Sequence, residues 1–245
     1  CPWDKKQTIT SIRHLSLEEV HELSEAILDE DPDEIRKELG DVLFHIVYYS
    51  RLAREKGWFT LEEVIDGAAE KIIRRHPHVF GDKKATVSDD VDTIWENQKD
   101  NEKQDKKQNY ESILDEVAVA LPALLRAQKL QKKAARQGFS WTKIEDIINK
   151  LDEEINEFKQ AVTQTKDDKN SIENELGDIL FVMANIGRHY GINPETALRK
   201  ENEKFYNRFK GIEKELQASD KAIEDQDIEE LLNLWNKQKD KEISV

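Results

Sequence analysis

The chain has 245 residues, of which 37% are charged and 37% apolar, and its formal net charge is −14 at pH 7. Nucleic acid and anionic membranes both require a basic face, so neither is an expected partner, and no apolar run approaches the roughly 20 residues that cross a bilayer. With only 9 Gly and 5 Pro, short strands and tight turns have little to be built from, and the class expected is all-α, in two domains.

Cys1 is the only cysteine, which excludes an intrachain disulfide and suits a reducing cytoplasm. Met183 is the only methionine, so Cys1 is expected to be a boundary of the ordered chain rather than the lipid-bearing start of a processed lipoprotein. The first helix is expected over 17–29, where apolar residues fall at 17, 20, 23, 27 and 28. Ser16 would be its N-cap, with Glu19 completing a capping box, and Pro32 would end it. A long helix is expected over 33–56, stopped by Gly57. A third is expected from Thr60 to about His76, and a fourth from near Asp89 through Trp95. The polar stretch 99–109 reads as a linker, which gives domains at 1–108 and 109–245. The second half repeats the plan after an extra helix over 113–137, with helices near 143–163, 171–190, 194–217 and 227–242.

The repeat is explicit in the residues. Glu18-Glu19-x-x-Glu22 followed by Glu38-x-x-Asp41 recurs about 135 residues later as Glu153-Glu154-x-x-Glu157 followed by Glu175-x-x-Asp178. Lys71 with Arg75 recurs as Lys204 with Arg208, and Trp95 with Lys99 recurs as Trp235 with Lys239. Carboxylates three apart lie on one helix face, so two packed helices can aim four of them at one point. Such a cluster repels itself unless a cation enters or protons bind. All-oxygen ligands suit Mg²⁺, with Mn²⁺ as a substitute. Glu153 falls to one side, where it can orient a water or complete a second metal. Lys204 and Arg208 share a face and suit phosphate oxygens, Trp235 can stack on a base while Lys239 meets phosphate, and Asn185 can help position a substrate.

A bland reading stands beside each of these. With 52 Asp and Glu in the chain, a single acidic match is most often a solvated face. Lys204 and Arg208 can be surface ion-pair partners, Trp235 can be core, and Gly40 and Gly177 can serve close helix packing. Glu18-x-x-His21 resembles half of a di-iron motif, but Asn156 stands where the second half would need the histidine. His76-Pro-His78 reads as a turn. No Gly-rich phosphate loop is present.

With Cys-Pro-Trp-Asp at 1–4, Arg75-His-Pro-His-Val-Phe-Gly81 and Gly138-Phe-Ser-Trp141, the tandem acidic pattern closely resembles the MazG family of nucleoside triphosphate pyrophosphohydrolases over nearly the whole chain. The resemblance implies tandem all-α, four-helix-bundle domains that dimerise and use Mg²⁺ to split (deoxy)nucleoside triphosphates into the monophosphate and pyrophosphate. Broad base specificity would serve nucleotide-pool cleansing or stringent-response control. It implies metal ligands at Glu154, Glu157, Glu175 and Asp178, with Glu153 or Glu154 as general base and Lys150, Glu153, Lys204, Arg208, Trp235 and Lys239 on the nucleotide. Glu18, Glu19, Glu22, Glu38, Asp41, Lys71, Arg75, Trp95 and Lys99 are the first-domain counterparts. The second domain is the expected seat of catalysis, the first serving assembly or regulation. The rival readings are a helical adapter that binds a regulatory protein partner, and a pyrophosphatase restricted to dUTP or dCTP.

Overall fold

The structure is a computed structural model that describes residues 1–82, 91, 94–95, 98, 102, 111–164 and 168–243. Among these residues there is no strand, and the class is all-α. The chain divides into two units, Cys1–Gln108 and Asn109–Val245. The first contains α1 (Arg13–Leu28), α2 (Pro32–Glu55), α3 (Leu61–Arg75) and the short α4 (Pro77–Phe80). The second contains α5 (Ala123–Arg136), α6 (Ile144–Gln164), α7 (Lys169–His189), α8 (Pro194–Ala218) and α9 (Ile228–Ile243). The fourth-helix start near Asp89 and most of the 99–109 linker lie outside the described residues; Val91, Ile94, Trp95, Gln98 and Glu102 are helical.

Local chemistry starts and stops these helices. Asp31 accepts from the amides of Asp33 and Glu34, with Pro32 preset in the first turn of α2. Asn193 and Pro194 repeat that device on α8. Thr60 and Glu63 form a reciprocal capping box at the start of α3. Gly57 (φ 67°) follows α2 in the left-handed region, and Gly191 (φ 68°) follows α7.

Two local expectations and one bland alternative are corrected. Ser16 is not an N-cap, because α1 already begins at Arg13; its hydroxyl meets His45 Nδ1 at 3.0 Å and Tyr49 OH at 2.8 Å instead. The extra helix over 113–137 is broken by Pro122, which leaves a 3-10 turn at Ile113–Glu116 and starts α5 at Ala123. Gly40 and Gly177 are not needed for packing within the chain, since an added Cβ at either meets nothing within 4 Å.

Each unit packs its helices in hairpins: α1 against α2 in the first, α6 against α7 and α8 against α9 in the second, with α5 laid across α7. Ile12, Ala26 and Ala53 are buried in the first unit. In the second, Ile147 is fully buried, a contribution of about 1.5–3 kcal/mol, and Ile212, Leu216 and Leu234 form a small core under Trp235. Much apolar surface stays open: Leu39, Leu43, Phe44 and Val47 on α2, and Leu176, Leu180, Phe181 and Met183 on α7.

Candidate functional site

In the second unit α6 carries Glu153, Glu154 and Glu157, and α7 carries Glu175, Asp178 and Asn185. Packing these helices brings one carboxylate oxygen from each of Glu154, Glu175 and Asp178 within 4.8 Å of the others. Glu154 is only 5% exposed, so its charge needs a partner. Lys150, one turn earlier on α6, supplies one: its ammonium lies 2.7 Å from Glu154 and 2.7 Å from Glu153. Those bonds hold the lysine above its ordinary pKa, that to Glu153 foremost. Glu175 Oε2 is buried without a hydrogen-bond partner. Glu157 is not part of the trio, yet it feels it: loss of solvent, then Glu154 and Glu175, push its carboxyl above the usual range.

The first unit builds the same trio from Glu19 on α1 and Glu38 and Asp41 on α2, again within 4.8 Å. Glu38 is 3% exposed and bonded through Oε1 to Lys37 at 2.8 Å, while its Oε2 has no partner. Glu19 is pushed upward by desolvation and then by Asp41 and Glu22, against a smaller opposing pull from His45. Glu22 stands outside this trio and Glu18 is exposed. An orphaned, buried carboxylate oxygen at matching positions of both repeats is the fit expected of a divalent cation, which satisfies several oxygens at once. Both acid clusters are therefore able to hold a metal.

The surroundings of the two trios differ. A cavity of about 690 Å³ in the second unit reaches Lys150, Glu154 and Asp178. Its walls bring in Phe139, Trp141 and Phe181, with Gln131, Asn185 and Arg188 among the polar groups. In the first unit a shallower, wholly different recess of about 240 Å³ is lined mostly by acids, including Glu22, Glu34 and Glu38. There Ser16 links His45 to Tyr49, and His45 Nε2 lies 3.9 Å from Glu19.

Several of the basic residues pair with acids the sequence did not single out. Arg208 is bonded to Glu242 at 2.6 Å and lies 5.3 Å from the Trp235 ring, and Lys204 pairs with Glu201 at 3.2 Å. Arg75 repeats the arrangement with Glu102 at 2.6 Å and Trp95 at 5.6 Å. Arg75 and Arg74 hold Glu102 down to about 2. Trp235 packs on Phe205 and the small core, and Lys239 and Lys71 are exposed. None of Lys204, Arg208, Trp235 and Lys239 lines the cavity. Lys99 lies outside the described residues. Sequence reasoning missed Gln131, Arg188, Lys37, Glu102 and Glu242; only the second arginine–acid–tryptophan set, mirroring the first, carried a repeat signal that could have shown the last two.

Comparison with known proteins bears on this geometry. The model of the MazG nucleotide pyrophosphohydrolase domain matches residues 7–80 and 142–212, so each match spans one trio. A nucleoside triphosphate pyrophosphohydrolase of Escherichia coli (strain K12) is 41% identical over 245 residues, covering 100% of this chain and 92% of that protein. The nucleoside triphosphate pyrophosphohydrolase/pyrophosphatase MazG of Thermotoga maritima is 40% identical over 239 residues, 98% of this chain and 89% of that protein.

Proposed function

Because the chain belongs to the MazG nucleotide pyrophosphohydrolase family, we propose that its second unit hydrolyses nucleoside and deoxynucleoside triphosphates to the monophosphate and pyrophosphate. The observation that carries this reading is the junction of an acid trio with an aromatic-walled cavity, both at Glu154 and Asp178. A triphosphate lying on the acids would leave its base in the cavity, where Trp141, Phe139 and Phe181 offer stacking that tolerates every base. Broad specificity follows from that.

Glu154, Glu175 and Asp178, with Glu157 alongside, would hold Mg²⁺ or Mn²⁺, which when bound would offset the triphosphate charge and make a water more acidic. Glu153 is the general base: it is exposed at the rim of the trio and free of the ligand set, so it can receive the water's proton. Lys150, beside Glu153 and Glu154, would meet a phosphate oxygen of the substrate. Lys204 and Arg208 neutralise the leaving pyrophosphate after exchanging Glu201 and Glu242 for it, and Trp235 and Lys239 border the same helical pair. The first unit keeps an acid set able to bind metal but serves assembly or regulation, with Lys71, Arg75, Trp95 and Lys99 as its counterparts. A second copy covers the apolar faces of α2 and α7, where Gly40 and Gly177 leave room for close approach. The setting is cytoplasmic; among the described residues no helix is long and apolar enough to cross a membrane.

Product analysis tests the proposal. The protein is incubated with the eight common NTPs and dNTPs, with and without Mg²⁺. Monophosphate plus pyrophosphate, released only with metal, is the expected result. Diphosphate plus orthophosphate would move the cleaved bond, and no turnover with either Mg²⁺ or Mn²⁺ would remove the enzyme reading.

A further inference from the structure

The cavity beside the second trio contains two amide side chains whose orientation is fixed by their neighbours. Gln131, on α5 and only 8% exposed, donates from Nε2 to the Phe181 carbonyl oxygen at 2.8 Å. Turning the amide over would set oxygen against oxygen, so Oε1 is committed as an acceptor. That oxygen is buried and receives no hydrogen bond. Asn185, 5% exposed, accepts through Oδ1 from Arg188 Nε at 3.0 Å, which leaves its Nδ2 as a donor. Arg188 is steadied in turn by Ser140 Oγ at 2.8 Å. Both amides line the cavity whose remaining walls include Phe139, Trp141 and Phe181. An unpaired buried acceptor is unfavourable until something donates to it. Here the protein supplies the slot, the stacking surface and the orientation, and lacks the donor.

Resting on the hydrolase reading above, we infer that Gln131 is a specificity-determining residue whose Oε1 accepts from the exocyclic amino group of a base in this cavity. Cytosine and adenine nucleotides are then turned over faster than uracil and thymine nucleotides. Cytosine offers an amino hydrogen at C4 and a ring nitrogen acceptor beside it, the complements of an acceptor such as Gln131 Oε1 and a donor such as Asn185 Nδ2. Uracil has an oxo group at C4, which opposes a committed acceptor. The preference is graded: one neutral hydrogen bond corresponds to about 3- to 10-fold in kcat/KM, while stacking and the phosphate contacts are shared by all bases. Broad acceptance and a ranking among bases therefore coexist.

The cleanest pair of substrates is dCTP and dUTP, which differ at C4 and the neighbouring ring nitrogen. Steady-state kcat/KM in Mg²⁺ is measured for both with the wild type and with Gln131→Leu. The wild type is expected to favour dCTP by about 3- to 10-fold, and Gln131→Leu to bring the ratio near one by slowing dCTP relative to dUTP. A wild type indifferent to the two, or a folded variant that keeps the wild-type ratio, overturns the assignment. A merely structural role for Gln131 would slow both substrates alike, which also overturns it. The wild type alone provides a second measurement: dCTP against the deoxynucleoside triphosphate of 2-pyrimidinone, which carries hydrogen at C4. Equal rates on these two count against an amino-reading oxygen even if the variant fails to fold. Failure of the underlying reading is distinguishable, because then no substrate yields monophosphate and pyrophosphate at all.

Discussion

Next to the first trio, Ser16, His45 and Tyr49 form a hydrogen-bonded chain that ends against Glu19. The offset that pairs Glu38 with Glu175 pairs His45 with Val182 and Tyr48 with Asn185. At Val182 and Asn185 the second unit opens a cavity of about 690 Å³. The two regions thus present nearly the same acids with different neighbours, one a polar chain between helices and the other an aromatic slot. A duplicated ligand set can persist while the volume beside it is lost or gained through one or two side chains. Identity of the acids is therefore a poor guide to which unit handles a nucleotide, and the space next to them is a better one.

The sharpest way to break that comparison is a pair of alanine variants. Glu175→Ala is expected to lower kcat/KM by about 1000-fold or more, with Glu38→Ala staying within about threefold; equal losses in initial-rate assays would make the units equivalent. Next comes Asn185→Tyr, which gives the second unit the residue of the first. Filling the slot should raise KM about 10-fold or more for every base, with circular dichroism confirming the fold; unchanged KM would empty the cavity of its role.

Glu102 sharpens the comparison on the side of the first unit. Its folded pKa of about 2 lies below the ordinary 4.5, so the unfolded state binds the proton first. The stabilisation is complete above pH 4.5 and is lost as pH falls through about 2. Glu102→Gln should cost about 1–3 kcal/mol at neutral pH and flatten the acid limb of the melting curve; a parallel pH profile would contradict the ion pair. Loss of one acid from the first trio is a smaller effect: Glu38→Gln should reduce the melting-temperature gain on adding Mg²⁺. The smallest is Thr60→Ala, expected to cost about 1 kcal/mol through its capping box and to leave nucleotide turnover unchanged.

Helices and the recurring acids were legible because they rest on short-range periodicity repeated twice. Glu175 and Asp178 share a face because they are i and i+3, but Glu154 joins them only when α6 packs on α7, and its own i+3 partner, Glu157, expected as a fourth ligand, stays outside the trio. Gln131 was not legible: its significance comes from a carbonyl 50 residues away, and α5 must lie across α7 before that contact exists. Glu242 is half hidden: it lies 34 residues from Arg208 on a neighbouring helix, and only the mirrored set around Glu102 could have pointed to it. Ser16 shows a local pattern overruled from outside. Its Ser-x-x-Glu spelling fits a cap, yet His45 and Tyr49 from α2 take up the hydroxyl inside a helix that began three residues earlier, at Arg13.

Lys150, gripped by Glu153 and Glu154, has a consequence for covalent chemistry. Acylating reagents attack a neutral amine, and the two carboxylates hold this one firmly as ammonium. A divalent ion drawing on the oxygens of Glu154 weakens that hold and repels the ammonium charge. The amine then becomes easier to deprotonate and to label. Its rate of modification, read by mass spectrometry on the peptide that contains it, would report occupancy of the acids without any turnover being measured.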